Sequence, residues 1–299
     1  MQLLVSLCNL SRPGASGLVL VTPGQPARTV MIGAPEEGVA GCVGLWAERH
    51  HIYCAWAGTD GRSYLSTLEQ ATFDVVDVVP LGGVKDVHSI TVLDGFLYLV
   101  STGTDEVRRV PLDRLGEPSE VVWRASGANC DTHHVNAIVN AGGRILCSAF
   151  GPRAGTRWST ALDGYVVDIE SGEVLCRGIE HPHSLLAASD DVYVAESRRA
   201  RVRGLAHGRT MNVDGYARGL CLSGEVFVVG VSTGRARSRS LGTIENAADP
   251  GDRAGEAGLS FFGDLLAHSP GRVPDDTMDL SQHGPEIYDV LPLSGEWIH

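Results

Sequence analysis

The amino-acid sequence predicts an all-β fold, and three observations carry the prediction. First, an apolar run, a turn with Gly or Asp and a strand with an aromatic residue or Leu near its start recur along the chain. The copies read GLWAERHHIYCAWAG (44–58), SITVLDGFLYLVSTG (89–103), NAIVNAGGRILCSAFG (136–151), SLLAASDDVYVAES (184–197) and GLCLSGEVFVVGVS (219–232). Aligned on Tyr53, Tyr98, Leu146, Tyr193 and Phe227, they follow one another at steps of 45, 48, 47 and 34 residues. Second, copies are followed by two further strand-like runs, as in DEVRRVP then SEVVWRA, or DGYVVDI then GEVLCRG. Four short strands per period of roughly 40–50 residues is the pattern of a β-propeller blade. Third, the two ends are complementary. LLVSLCN (3–9) reads like a second strand with no first strand before it, and EIYDVLPLSG (286–295) reads like a first strand.

The expected architecture is therefore one propeller domain over residues 1–299, with six four-stranded blades closed by joining the N- and C-terminal strands. The stretch 238–285 matches the repeat poorly, and an insertion is expected there. Apolar alternation along the strands is impure, as expected for sheets covered on both faces. A long amphipathic helical pattern is missing throughout.

Composition narrows the function classes. Hydrophobic residues make up 43% of the 299 residues, enough for a sizeable core. The formal net charge of −12 argues against nucleic acid as the main partner, which needs a basic footprint. The seven cysteines, several inside apolar runs such as HIYCAWA and RILCSAF, form no CxxC pair and read as reduced core residues. The start MQLLVSLCNLSRPG has no basic leader, and no run approaches a membrane span. A soluble, cytoplasmic protein with no membrane or nucleic-acid partner is expected.

The repeat gives the histidines a position. In a propeller the first strand of each blade lines the central channel, so residues at its start converge from blades far apart in sequence. His88, in KDVHSITV, and His183, in HPHSLLAA, share one register, each ten residues before its aligned tyrosine. His134, in DTHHVNAIV, lies two residues early, with Asn136 in the aligned slot. A lone channel histidine is ordinarily hydrogen-bonded to water or backbone. Three converging ones suggest a divalent metal, since neutral imidazole binds zinc, iron, copper, manganese or nickel.

Other residues fall at the same mouth. Glu286, Tyr288 and Asp289 enter the closing blade, and Arg218 enters the fifth repeat copy one residue off register. A carboxylate there can complete a metal shell or act as a general base, and an arginine can hold an anionic group. Loops between second and third strands open on this face and carry Arg153, Arg157, Arg198, Arg199, Arg235 and Arg237. They point to a small anionic substrate, with Trp158 as a cover and Glu196 facing inward. His133, His181 and His283 read as neighbours of the site rather than members. His50 and His51 fall on the opposite face. P-loop, GxSxG and EF-hand patterns are missing.

The stretches THHVNAIVNAGGRILCSAFG, DGYVVDIESGEVLCRGIEHPHSLL, GYARGLCLSGEVFVVGVSTGRARS and EIYDVLPL resemble an uncharacterised bacterial propeller family of unknown function, related to tetratricopeptide-associated propellers. The family elements fall here on His134 and Asn136, on Pro182, His183 and Ser184, on Ala217 to Leu220, on Ile287 to Val290, and on Asp86 with His88. The resemblance is best over 85–235 and at the C-terminus and lapses over 240–283. The chain departs from it after VGVS, where TGRARSR stands in place of a basic, Pro-containing run. The resemblance implies the fold and the same histidines, and no reaction.

Two functions compete on this reading. One is a metal-dependent hydrolase, lyase or isomerase acting on a small polar or anionic molecule, with metal on His88, His134 and His183. In that enzyme Arg218, Glu286, Tyr288 and Asp289 are catalytic, and Asn136, Arg153, Arg157, Trp158, Glu196, Arg198 and Arg235 bind substrate. An iron oxygenase is a variant of it. The other is a non-catalytic propeller that binds a ligand or partner protein on its Arg-rich face.

Overall fold

The computed structural model describes residues 1–10, 17–30, 39–59, 61–188, 191–232, 257–263 and 271–293. Among these residues the regular elements are β-strands and four single 3-10 turns. None of the described residues forms a helix long and apolar enough to cross a membrane.

The strands follow the repeat. β1 (Leu3–Cys8), β2 (Leu18–Val21) and β3 (Arg28–Thr29) are followed by β4 (Val39–Glu48), β5 (His51–Gly58), β6 (Ser63–Glu69) and β7 (Val75–Pro80). The next four-stranded sheet holds β8 (Val87–Leu93), β9 (Phe96–Ser101), β10 (Glu106–Pro111) and β11 (Glu120–Arg124). Another holds β12 (Val135–Ala141), β13 (Arg144–Ala149), β14 (Gly164–Asp168) and β15 (Val174–Ile179). β16 (Pro182–Ala188), β17 (Asp191–Glu196), β18 (Arg201–Gly204) and β19 (Thr210–Asn212) make the next. The last comprises β20 (Tyr216–Ser223), β21 (Val226–Ser232), β22 (Gly258–Phe262) and β23 (Asp276–Asp279). Thus the 238–285 stretch, unreadable as a repeat, supplies the third and fourth strands of this sheet.

β24 (Glu286–Pro292) pairs antiparallel with β1, from Leu3–Pro292 to Cys8–Glu286. It is the first strand that the N-terminal run lacks. One further pair, Cys8–Gly41, joins β1 to β4 and merges the two groups into an eight-stranded sheet. The inner strands β4, β8, β12, β16, β20 and β24 touch in that order, and β24 touches β4. Repeated four-stranded antiparallel sheets packed this way make a β-propeller.

The core lies between successive sheets. Val43, Tyr53 and Leu65 pack against Ile90, Leu97 and Leu99, while Leu3, Val5 and Val19 pack against Cys221, Val228 and Leu259. Each sheet is thus apolar on both faces, which explains the impure alternation. Trp56, fully buried, donates its indole N–H to Ser66 Oγ at 2.6 Å.

Each inner strand is interrupted near its start. The pairing shifts between Val87 and Ile90, between Val135 and Ala137, between Pro182 and Leu185, and between Arg218 and Leu220. β4 shifts between Val39 and Gly41, and β24 shifts opposite Ser6 and Leu7, at Tyr288. An extra residue in one strand is a β-bulge, which bends the strand and re-aims the local side chain.

Gly41 marks where β1 and β4 meet, at φ 147°. A Cβ there would strike the Cys8 backbone and the Leu7 carbonyl, whereas Gly24, also at positive φ (80°), has open space around it. Gly41→Ala is expected to cost roughly 2–4 kcal/mol and Gly24→Ala only about 1 kcal/mol, read by chemical denaturation.

Candidate functional site

The bulges place the histidines. Asp86, His134 and His181 share the left-handed conformation, with φ of 54°, 52° and 53°. Each is followed two residues later by a residue in the bulge: His88, Asn136 and His183. His134 therefore occupies the slot of Asp86 and His181, not that of His88. Its ring nonetheless reaches the channel mouth, meeting His88 edge-on at 5.2 Å between centroids.

The hydrogen bonds assign the imidazole protons. His88 Nδ1 lies 3.0 Å from the Asp86 carbonyl, His134 Nδ1 3.2 Å from the Asp131 carboxylate, and His183 Nδ1 3.2 Å from the His181 carbonyl. All three acceptors require Nδ1–H, so the Nε2 lone pairs are left for other contacts. Burial lowers the His88 pKa to about 4, with His134 and Arg218 adding to the effect and Asp86 opposing it. His88 is neutral near pH 7. Burial works to raise the Asp131 carboxyl, but the imidazoles of His134 and His88 and the Arg153 guanidinium hold it below the usual range.

Arg218 is the organising cation. It is buried, and Nη2 donates to His183 Nε2 at 3.1 Å while Nη1 donates to Glu286 Oε2 at 3.3 Å. Its guanidinium sits 5.0 Å from the Tyr288 ring and 5.3 Å from the Tyr216 ring. Its Nε is buried without a hydrogen-bond partner. Glu286 also accepts a weak bond from Cys8 Sγ at 3.6 Å. Tyr288 stands edge-on to His88 at 5.6 Å, so the closing strand brings its tyrosine against the histidine of the β8–β11 sheet. His183 completes its shell through Ser197 Oγ at 2.9 Å, which in turn donates to the Ala217 carbonyl.

The long connection after β13 covers this cluster. Trp158 lies 4.7 Å from the His134 ring, and the Arg153 guanidinium stacks on it at 4.3 Å. Arg153 also donates to the Asp131 carbonyl. His181 stacks on Phe150 at 4.5 Å and, through Nε2, donates to the Trp158 carbonyl at 2.9 Å. Its Nδ1 then accepts from the Tyr216 hydroxyl. His181, which reads as a neighbour in the sequence, is a buried clamp on the covering loop.

Asp131, which orients His134, escaped sequence reasoning, and so did Asp105. Fully buried, it accepts from the Thr132 N–H and hydroxyl and from the His133 N–H, at 2.6–2.8 Å. This carboxylate holds the segment on which His134 adopts its left-handed backbone. The only signal was an Asp in the loop GTDEV, which gives no hint of its partners.

Other predicted site residues are turned to structural contacts. Asp289 accepts from the Leu45 and Val290 N–H groups, both at 2.9 Å, and burial raises its carboxyl to about 6. Glu196 pairs with Arg201 at 2.7 Å and also accepts from the Glu180 N–H, so it does not face inward as a free ligand. Arg198 and Arg199 both pair with Glu180. Arg157 is exposed beside the Trp158–Thr160 turn. Asn136 is buried, with its Nδ2 unpartnered. His283 lies apart, against Thr29, and His133 contacts the Tyr165 hydroxyl. Arg235 and Arg237 fall outside the described residues. Among the described residues no three His, Cys, Asp or Glu side chains are grouped as metal donors. Arg218 Nη2 already holds the lone pair of His183.

Two buried groups make opposite pH contributions. His88 binds a proton near pH 6.5 when unfolded and near 4 when folded, so its contribution to stability falls as pH drops from 6.5 to 4. Asp289 ionises near pH 6 when folded and 3.8 when unfolded, so its contribution rises as pH drops from 6 to 4. Relative to wild type, His88→Gln should gain about 3 kcal/mol over that interval and Asp289→Asn should lose about as much. Urea titrations at stepped pH check both signs.

Comparison with known proteins adds fold and family. No curated protein matches the sequence. A structure of a nidogen–laminin complex superposes with TM-score 0.64 at 9% identity, over 97% of this chain and 97% of that one. A Bacteroides uniformis protein described as a "putative 6-phosphogluconolactonase" gives TM-score 0.56 at 11% identity, over 97% and 98%. Its counterpart from Bacteroides fragilis gives 0.55 at 10%, over 97% and 97%. At these identities the likeness is one of fold. The model of a domain of unknown function (DUF4915) matches residues 128–295, which include His134, His183, Arg218, Glu286 and Tyr288. The chain belongs to the DUF4915 family.

Proposed function

We propose that the chain is a six-bladed propeller closed by β24 on β1, and that its channel mouth is the active site of a hydrolase acting on a small anionic ester or lactone. The observation that carries this reading is the buried Arg218, which sits beside a histidine pair whose Nδ1 atoms are both tied to oxygen acceptors. Arg218 would anchor the substrate's carboxylate or phosphate, assisted by Arg153. His134, oriented by Asp131, would act as general base. Its Nε2 takes a proton from water as the water oxygen bonds to the carbonyl carbon, and returns it to the leaving alkoxide when the C–O bond breaks. His88, neutral, would accept a hydrogen bond from the attacking water or a substrate hydroxyl. Trp158 would exclude bulk water. Asn136 Nδ2 is a buried donor well suited to a substrate oxygen. The lactonase description of two fold relatives is compatible with this chemistry. The free cysteines fit a reducing, cytoplasmic compartment.

A second reading keeps a divalent metal. Nδ1–H bonded to oxygen, with Nε2 bare, is also the usual state of a metal-ligating histidine. His88 and His134 would hold the ion, and His183 would join them if Arg218 turned aside. A bound ion there would supply Lewis-acid polarisation of a carbonyl. The fixed positive charge of Arg218, 3.1 Å from His183 Nε2, opposes it and favours the first reading.

A panel of carboxylate- and phosphate-bearing lactones and esters tests the proposal. His134→Gln should lower kcat by about 100-fold or more, and Arg218→Lys should raise KM about tenfold with less effect on kcat. Activity that survives exhaustive chelation supports the first reading. Activity lost on chelation and restored by one divalent metal supports the second. Absence of turnover, together with unchanged anion binding in Arg218→Lys, would contradict both.

A further inference from the structure

A cavity of about 580 Å³ lies outside the channel, on the β8–β11 sheet, lined among others by Lys85, Thr104, Glu106, Arg108, Arg124 and Asn129. The lining comes from β10 and β11, from the turn between β9 and β10 and from the segments that enter β8 and β12, so the cavity borders the face on which the inner strands begin. Its lining holds three basic side chains and one acidic one. That excess of positive charge stands on a chain of net charge −12.

The two arginines are built in rather than scattered. Glu106 is 2% exposed and acts as an internal strut. It accepts from Arg108 Nη1 at 2.6 Å, from Arg124 Nε at 2.8 Å and from Thr104 Oγ1 at 3.0 Å. Burial works to raise its carboxyl, but the two guanidiniums and Thr104 hold it ionised, below the usual range. Arg108 is fully occupied, since Nε and Nη2 donate to Ser119 Oγ and the Ser119 carbonyl. Arg124 is not. It binds the strut through Nε alone, which fixes its plane and leaves the two Nη groups presented together, without partners among the described residues. The Lys85 ammonium likewise has no partner there, and Gly83 gives Arg108 the room it needs, since a Cβ would approach Nη2 to 3.0 Å.

We propose that this cavity is a binding site for a small, multiply charged oxyanion of the phosphate or phosphate-ester class. A planar pair of Nη donors on Arg124 matches two oxygens of a phosphate, and Lys85 adds a mobile charge. Arg108 contributes field rather than a free donor. The site is distinct from Arg218 and stands whether or not the channel is catalytic. Its occupancy would be felt there, because the segment from Asn129 runs into Asp131 and Thr132. Asp105, the neighbour of the strut Glu106, holds Thr132 and His133.

Calorimetric titration of the full chain with inorganic pyrophosphate tests the site, with thermal melting to confirm folding. Wild type should bind, and the affinity should fall as salt is raised. The double variant Lys85→Ala, Arg124→Ala should weaken binding at least tenfold. Both side chains are exposed, so the variant should fold; if it does not, Lys85→Gln and Arg124→Gln are titrated singly, each expected to weaken binding severalfold. Arg114→Ala, which removes an exposed arginine outside both sites, should leave binding unchanged. Failure of wild type to bind at millimolar pyrophosphate, binding indifferent to Lys85 and Arg124, or binding weakened as much by Arg114→Ala would each overturn the assignment.

Discussion

The β-bulge at the entrance of each inner strand is the feature on which the rest of the molecule depends. A regular strand sends successive side chains to opposite faces, and in a propeller both faces are occupied by neighbouring sheets. A polar residue in such a strand has nowhere to go. The extra residue breaks that alternation at one point, and there His88, Asn136, His183 and Tyr288 lie. The left-handed residue two positions earlier turns the chain into the strand, and it carries Asp86, His134 and His181. In the sheets that begin with β8, β12 and β16 two polar slots are thereby opened at one end of a framework that is otherwise apolar.

Hydroxyl groups lock these entrances together. Thr102 Oγ1 donates to the Val135 carbonyl at 2.6 Å, Ser197 Oγ to the Ala217 carbonyl at 2.6 Å, and Ser232 Oγ to the Ile287 carbonyl at 2.9 Å. Each runs from the end of one sheet's second strand to the inner strand of the next. The bulge frees a carbonyl from the strand ladder, and the neighbour's hydroxyl satisfies it. Position at the mouth is therefore set by contacts between sheets, which is why residues from distant parts of the chain meet within a few ångströms. The Arg218–Glu286–His183 group extends the same logic. Two donors of this buried arginine are met, Nη2 by His183 of β16 and Nη1 by Glu286 of β24, the two adjacent inner strands.

Much of this was legible in the sequence. The shared register of His88 and His183 follows from counting back from Tyr98 and Tyr193, and the pairing of Glu286–Pro292 with Leu3–Cys8 follows from the two incomplete ends. The offset of His134 was also legible, as was Asn136 in its place. What could not be read is how a side chain from the earlier slot reaches the mouth, because that depends on Asp105 and on a left-handed backbone. Nor could pattern alone separate Arg218 from Arg198. Both read as arginines on the same face, one at a strand entrance and one on a loop, but one is buried against His183 and the other is paired with Glu180. The third and fourth strands of the last sheet, β22 and β23, were hidden because the long connection before them breaks the period.

The central claim is that Arg218 holds the lone pair of His183, so that the mouth is organised around a guanidinium. Nitrogen-15 spectra of the histidines at neutral pH test it most directly. The account predicts His183 as the neutral Nδ1–H form, with its Nε2 resonance shifted in Arg218→Lys while its Nδ1 resonance stays in place. A His183 found protonated at Nε2, or indifferent to Arg218, would contradict it.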